Sequence, residues 1–556
     1  MFHEFVPKSW IYLREYRWEL FKKDALAGIT VGIVALPLAM AFAIASGVSP
    51  DKGIFTAIVA GFLISALGGS SVQIGGPTGA FVVIVYDVLQ RTGYPGLSLA
   101  TLFAGIFLLL FGLFRIGSWI KYVPYSLITG FTTAIAVLIF SSQIKEFFGL
   151  SIKNPSASFM GQWVEYIRSM PSIRPETAAL GFGTLFLICA LRRFCPRIPW
   201  GVASIFIATS ITSLFHIPVE TIYSKFSSLP TSLPFPSFPS MHVSLDQWPE
   251  VIRDSFAIAF LGAIESLLSA VVADGMLGTR HKSNCELMAQ GIANIGSVLF
   301  GGIPATGAIA RTATNVKSGG RTPVAGMIHA LTLLFILMYL SPWVNKIPLA
   351  SLSAILMVVA WNMSEMPHFL RMIRSPTSDT VILLTAFTLT LFVDITVAIM
   401  VGMVIASFLF MKNISVRCKA VAVTAGDVQA EFPEQDDPDA TGHKSIPFGV
   451  EVYEIQGPFF FGSTDILQNL IPNLAPFPKV FILRMRQVPL IDVSGVNALQ
   501  EFYRQCQKHK IVLLLSGVHG HLKRDLEKLG FIRCIGADRV FPNIDAALAK
   551  VHQFLV

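Results

Sequence analysis

Residues 301–315 read GGIPATGAIARTATN. Apolar segments flank this stretch on both sides, which puts it at membrane depth. Glycines, a proline, three threonines and an arginine make a poor lipid-facing helix. Irregular backbone at that depth is tolerated only where protein buries it or where it lines a wet cavity. The chain carries an echo of the stretch at Gly75-Gly76-Pro77-Thr78-Gly79-Ala80, with Thr-Gly-Ala beginning at both Thr78 and Thr306. Two Gly/Pro-interrupted apolar segments in matching places of two halves point to a transporter's binding site.

Working outward, the 556 residues are 53% hydrophobic and 14% charged. A soluble domain carries about 25% charge, so the class is a polytopic helical membrane protein with room for one soluble domain. The net charge of +8 falls in short loops, where it orients helices and does not indicate nucleic acid. Six cysteines have no metal-ligand spacing and read as free thiols. No catalytic pair, P-loop or dinucleotide motif is present, so the chain does not read as an enzyme, and no cofactor is expected.

Apolar periods predict spans near 24–46, 53–69, 77–90, 100–114, 124–141, 177–191 and 201–215, then a proline-rich loop. Seven more follow near 251–272, 287–300, 305–316, 323–340, 349–363, 381–393 and 395–411. The third span of each half is short. An odd number of spans per half makes the two repeats inverted, with half-helices at spans three and ten. Pro37 should bend or break the first span. Residues 1–23 interleave Trp and Tyr with Lys and Arg. They read either as an amphipathic helix on the inner leaflet or as a plain positive flank.

Charge then sets the topology. Arg115 and Lys121, Arg192, Arg193 and Arg197, Arg280 and Lys282, Lys317 and Arg321, and Arg371 and Arg374 fall in loops expected to be cytoplasmic. The 145–176 loop is the exception, with Lys145, Lys153, Arg168 and Arg174 on the outer side. The expected layout is a cytoplasmic N-terminus (1–23), a transport domain (24–412), a linker and start of a soluble domain (413–447), and a small cytoplasmic α/β domain (448–556). The linker is acidic, with Asp427, Glu431, Glu434, Asp436, Asp437 and Asp439. In the last domain, strands near 450–455, 480–485 and 511–516 alternate with helical stretches.

The two half-helices should start near the midplane from opposite sides. Their free N–H groups and partial positive charges would then face one spot, an anion site needing no metal. Thr78 and Thr306 can add hydroxyls, and Gly79 and Gly307 allow close approach. Such small-residue clusters also serve plain helix packing. Arg311 is an intramembrane arginine, which marks function by default; the alternative is a structural pair with a carboxylate. Glu265 with Ser269 one turn later can hold Na⁺ or carry a proton, and Glu265 could also be the partner of Arg311. Asp274 reads as a loop charge, Asp87 and Asp394 as caps or inter-helix locks. His281 and His329 have no evident partner. In the tail, Asp492 should cap a helix, with Ser494 at the exposed turn.

Several stretches together resemble the SulP (sulfate permease) family with a C-terminal STAS domain. They are residues 24–46 (DALAGITVGIVALPLAMAFAIAS), Gly75–Thr78, residues 261–273 (LGAIESLLSAVVA), the opening stretch and Asp492–Gly495. Residues 359–365 (VAWNMSE) and 274–286 (DGMLGTRHKSNCE) are most similar to the bacterial C4-dicarboxylate branch. The resemblance implies a core domain moving like an elevator against a gate domain in a homodimeric inner-membrane protein. It implies an anion site at Phe42, Thr78, Gly307, Ala308 and Arg311, to which the reading of the residues adds Gly79 and Thr306. Glu265 and Ser269 match the Na⁺-holding acid and hydroxyl of bicarbonate-transporting members, but Ile309 stands where those have a threonine, which favours H⁺ over Na⁺. Leu38 replaces the glutamine or glutamate of other branches. STAS domains imply a regulatory role, with a kinase acting at Ser494 or acyl carrier protein as partner. The expected function is H⁺-coupled symport of sulfate, bicarbonate or a C4-dicarboxylate. An uncoupled anion channel and a membrane-anchored anion sensor are the alternatives.

Overall fold

The computed structural model describes residues 4–13, 16–152, 158–195, 198–239, 243–374, 378–422, 445–468, 470–471 and 476–555. Arg14, Lys153, Arg197 and the acidic run Asp427–Asp439 lie outside the described residues. The chain divides into two units, residues 1–404 and 405–556.

The first unit is helical. Its helices are α1 (Trp18–Ala45), α2 (Pro50–Leu67), α3 (Gly79–Leu113), α4 (Tyr125–Ser142), α5 (Pro175–Phe194), α6 (Trp200–Leu214) and α7 (Trp248–Leu277). There follow α8 (Ser283–Leu299), α9 (Ile309–Lys317), α10 (Pro323–Val344), α11 (Leu349–Met363) and α12 (Ser378–Phe392), and then α13 (Ile395–Arg417), which runs on into the second unit. Each apolar segment expected from sequence meets one of these helices. The third and fourth both fall in α3, which turns at Gly93 (φ 68°, ψ −176°) just before Pro95. That φ suits glycine, the residue without a Cβ to clash. Nine helical stretches among the described residues are long and apolar enough to cross a membrane; α6 and α12 are shorter.

Packing sorts the helices into two bundles. α1, α2, α3, α7, α8, α9 and α10 pack on one another, and α4, α5, α6, α11 and α12 form a second group. Small residues bring the first bundle together. A Cβ on Gly105 of α3 would come 2.8 Å from Gly291 O of α8, and one on Gly291 would come 2.6 Å from Gly105 O. Only glycine at both positions permits that crossing.

Two expectations change here. Pro37 sits inside α1 without ending it. α1 also begins at Trp18, so Trp18, Lys22 and Lys23 belong to the first long helix and not to a surface segment. What remains is a short helix, Lys8–Leu13, tied to the end of α2. Lys8 N donates to Gly68 O at 3.0 Å and Tyr12 Oη to Ser71 Oγ at 3.2 Å. Asp24, fully buried, accepts from Arg321 N (2.8 Å), Thr322 N (3.2 Å) and Tyr16 Oη (3.0 Å), so α1 fixes the start of α10.

Away from the centre, polar groups lock helix ends. Asp87 pairs with Arg91 at 2.7 Å, and Arg91 also reaches Glu250 (3.3 Å) and Asp254 (3.1 Å) at the start of α7. Asp394 accepts from Thr396 N at 3.2 Å and caps α13. Asp274 is more than a loop charge: it holds His281, 2.7 Å from its Nδ1. On the 145–176 loop, Glu146 pairs with Lys225, and Arg174 lies 3.6 Å from Glu220.

In the second unit a four-stranded sheet runs β3-β4-β5-β6 (Lys419–Ala422, Val450–Gln456, Val480–Gln487, Val512–Ser516). The first pair is antiparallel and the other two are parallel. Its central strand β5 is buried on both faces, as in parallel sheets covered by helices, while β4 alternates buried and half-buried residues. α14 (Val493–Lys508) follows β5. β3 falls in the stretch read from sequence as linker and start of the soluble domain.

Candidate functional site

The two Gly-rich stretches meet as short strands. β1 (Gly75–Gly76) pairs antiparallel with β2 (Thr306–Gly307), Gly75 opposite Gly307 and Gly76 opposite Thr306. Ala308 N extends the ladder to Ile74 O at 2.8 Å. Because the strands are antiparallel, the helices that follow leave in opposite directions and their N-termini start side by side. Thr78 and Ala308 are the N-cap residues, both extended and neither capping with its side chain. The first amides (Gly79 and Ala80 on α3, Ile309 and Ala310 on α9) have no acceptor among the described residues. Such orphan N–H groups and the helix dipoles favour an anion.

Two side chains share the same spot. Thr78 is 8% exposed, and its Oγ1 is buried without a hydrogen-bond partner. Arg311 is buried in the first turn of α9; Nη2 donates to Pro77 O, and Nη1 has no partner among the described residues. The guanidinium lies against β1, since a Cβ on Gly76 would come 2.5 Å from Nη1. No carboxylate stands within ion-pair distance of Arg311 among the described residues. The alternative of a structural Glu265–Arg311 pair is therefore not realised.

Other expected donors are already engaged. Thr306 Oγ1 donates to Gly262 O (3.0 Å) and lies 2.6 Å from Ser266 Oγ, while Gly307 N donates to Ser266 Oγ (3.2 Å). Thr306, Gly307 and Ala308 thus build the strand, and the free amides begin one residue later. Phe42 is buried in α1. Above Gly79 stand Met363 and Ile139, whose Sδ and Cδ1 would meet a Cβ there at 2.7 and 3.3 Å. Ile139 also lines a 560 Å³ cavity together with Val82, Tyr86, Thr390 and Asp394.

Gly262, Glu265, Ser266 and Ser269 share one face of α7 by helical spacing. Glu265 is 8% exposed and makes no hydrogen bond or ion pair among the described residues. Ser269 donates to Thr312 Oγ1 at 3.1 Å, and Thr312 also accepts from Ile74 N at 3.1 Å. Ile309, at the head of α9, is 36% exposed.

Sequence reading missed the layer that holds the strands. Gln73 Nε2 donates to Ser266 O (3.1 Å), and Asn294 brackets Ala305, accepting from its N and donating to its O at 2.9 Å each. Asn315 Nδ2 reaches Val72 O at 2.9 Å, and Glu286, fully buried, accepts from Gly69 N and Ser70 N. Polar residues inside apolar helices were the available signal. In the second unit, Asp492 accepts from Gly495 N (2.7 Å) and Phe461 N (3.1 Å) and caps α14, with Ser494 half-buried in the first turn.

The chain matches the sulfate permease family over residues 21–386 and the STAS domain over residues 437–547. It belongs to the sulfate permease family. The Bacillus subtilis protein YvdB, provisionally named a sulfate transporter, is 38% identical over 532 residues, covering 95% of this chain and 98% of that one. The bicarbonate transporter BicA of a Picosynechococcus species is 27% identical over 97% of this chain and 95% of its own length. Among solved structures, the murine Solute Carrier 26 family member A9 anion transporter superposes with a TM-score of 0.86 at 18% identity, covering 99% of this chain and 94% of that one. That likeness shows the fold: a transporter-type membrane domain with a C-terminal STAS domain. Members of the family are transporters and not enzymes. The chain accordingly belongs to a family of transporters whose similar relatives are named for sulfate and bicarbonate.

Proposed function

We propose H⁺-coupled symport of a small oxyanion, sulfate or bicarbonate, with the anion held between the starts of α3 and α9. The observation that carries this reading is the pair of unsatisfied buried groups, Thr78 Oγ1 and Arg311 Nη1, set beside two helix N-termini. Buried polar groups without partners are rare and call for a ligand or water. Glu265 is the coupling group: a carboxyl without a cationic neighbour holds a proton, or a cation that arrives with the anion. Ile309, apolar where a third cation ligand would sit, favours H⁺ over Na⁺. C4-dicarboxylates belong in the same test, because helix ends and one arginine read charge and size.

The α1–α3 and α7–α10 bundle is suited to carry the site as a unit, since among the described residues β1 and β2 are bonded only within it. That supports elevator movement against α4–α6, α11 and α12. The arginines and lysines of the short loops support a cytoplasmic N-terminus and STAS domain in the plasma membrane. Homodimerisation and STAS regulation through Ser494, by a kinase or acyl carrier protein, complete the reading.

The test is flux into proteoliposomes under an imposed pH gradient, with sulfate, bicarbonate and succinate as the panel. Inward proton gradients should drive accumulation of one of them. Glu265→Gln should abolish the gradient's effect while leaving anion binding in place. Coupled uptake that survives Glu265→Gln sinks the coupling assignment, and uptake indifferent to the gradient points to a channel.

A further inference from the structure

His329 has no role in the sequence pattern, and the anion site as described does not use it. Its side chain is fully buried in α10, and neither ring nitrogen has a hydrogen-bond partner among the described residues. Two unsatisfied nitrogens in an apolar interior are costly. The ring lies beside β1: a Cβ on Gly61 would come 3.1 Å from Gly75 O, 3.6 Å from His329 Cε1 and 3.7 Å from Nδ1. At the next residue, Gly76, the space for a Cβ is taken by Arg311 Nη1. An unsatisfied donor and an unsatisfied acceptor therefore flank consecutive residues of one strand.

We propose that His329 is a positioning residue for Arg311: the two are not bonded in the arrangement described, and a shift of the guanidinium toward the ring lets the imidazole accept the hydrogen bond of Nη1 in the empty carrier. This rests on the anion reading given above. A guanidinium at membrane depth needs compensation in every state of a transport cycle. The anion supplies it when bound, and Pro77 O serves only Nη2. A neutral acceptor suits the empty state better than a carboxylate would, because it leaves the positive charge uncancelled for the next anion. The imidazole then competes with the anion for Nη1. Its removal tightens anion binding and slows the return of the empty carrier.

The experiment uses the purified full-length chain with sulfate and bicarbonate as probes. His329→Leu removes the acceptor, His329→Phe does the same if the leucine variant does not fold, and His329→Gln keeps an acceptor. The expected result is a Kd lowered about tenfold in the apolar variants, the size of a hydrogen bond to a charged group. Net uptake should slow, anion exchange should hold its rate, and the glutamine variant should stay near the starting values. Tm should hold or rise, because the apolar side chain replaces two unsatisfied atoms. Arg311→Gln is the control. If it binds the anion as well as the unsubstituted chain, the anion reading falls and this proposal falls with it. If it loses the anion but the apolar His329 variants keep the original Kd, only the His329 proposal is overturned. Failure of both apolar variants to fold makes the ring structural and overturns the proposal as well.

Discussion

Thr78→Val separates function from fold at a single hydroxyl. Valine keeps the branched shape and removes only the hydroxyl. Thr78 Oγ1 is buried and has no hydrogen-bond partner among the described residues, and it does not cap the helix whose N-cap it occupies. The fold therefore loses no hydrogen bond. Relieving a buried unsatisfied polar atom is worth about 1 kcal/mol or more, so Tm should stay level or rise. Binding should move the other way. A hydroxyl donating to an anion contributes about 1.5–3 kcal/mol, so Kd should rise roughly 10- to 150-fold. The assay is paired: calorimetric or equilibrium binding of sulfate and bicarbonate to the detergent-purified chain, and thermal unfolding of the same samples without anion. A Kd that stays put refutes the assignment of Thr78 to the anion site. A fall in Tm at constant Kd would show instead that the hydroxyl has a structural partner.

Gly307→Ala should be poorly tolerated: its Cβ would fall 1.6 Å from Gln73 Nε2, which is buried and bonded to Ser266 O. Overpacking plus the lost bond costs about 2–4 kcal/mol, and a clear drop in Tm by scanning fluorimetry checks it; Gly79→Ala, facing the adaptable thioether of Met363, should cost far less. Asp492→Ala removes both bonds of the α14 cap and should destabilise the STAS domain by about 1–2 kcal/mol, read as faster proteolysis of that domain in the full-length chain. Burial pushes the Cys506 thiol up to about 12. An acid whose folded value is raised adds stability below its ordinary value, and that stability is lost as pH climbs toward the raised one. Between pH 7 and 9, maleimide should label the exposed Cys534 and spare Cys506 until the domain unfolds, as mass spectrometry of the labelled chain would show.

The helix positions were legible because an apolar run of membrane length has no stable home except a spanning or deeply buried helix, and because Gly-Pro at 76–77 and Gly93 with Pro95 interrupt the runs. The paired half-helices were legible through the repeated Thr-Gly-Ala. What the sequence hid was partnership. Nothing in the order of residues says that Thr306 turns toward Gly262 and Ser266 while Thr78 stays free, since that choice depends on which helix packs behind each strand. Trp18 and Lys22 read as a surface segment because a positive, aromatic flank and the first turns of a long helix share one composition. Glu286, Asn294 and Asn315 escaped because a lone polar residue in an apolar helix does not reveal which backbone group it serves.

The two copies of the motif are used differently, and that asymmetry bears on coupling. The first copy leaves groups open among the described residues: the hydroxyl of Thr78 and the amides from Gly79. The second copy offers the charge at Arg311, but its own Thr-Gly is bonded to α7 through Gly262 and Ser266. Glu265 lies between those two residues on the same face of α7. On the proposed reading, a proton or cation arriving at Glu265 would act on a helix already fastened to β2, and β2 leads directly into the turn that carries Arg311. In the same way Ser269 reaches Thr312, one residue beyond Arg311. Since Glu265 and Arg311 form no ion pair, communication between the carboxyl and the anion would have to run through these hydroxyl contacts. The Ser266–Thr306 and Ser269–Thr312 contacts are then the places where weakening a single hydrogen bond should uncouple uptake while leaving anion binding intact.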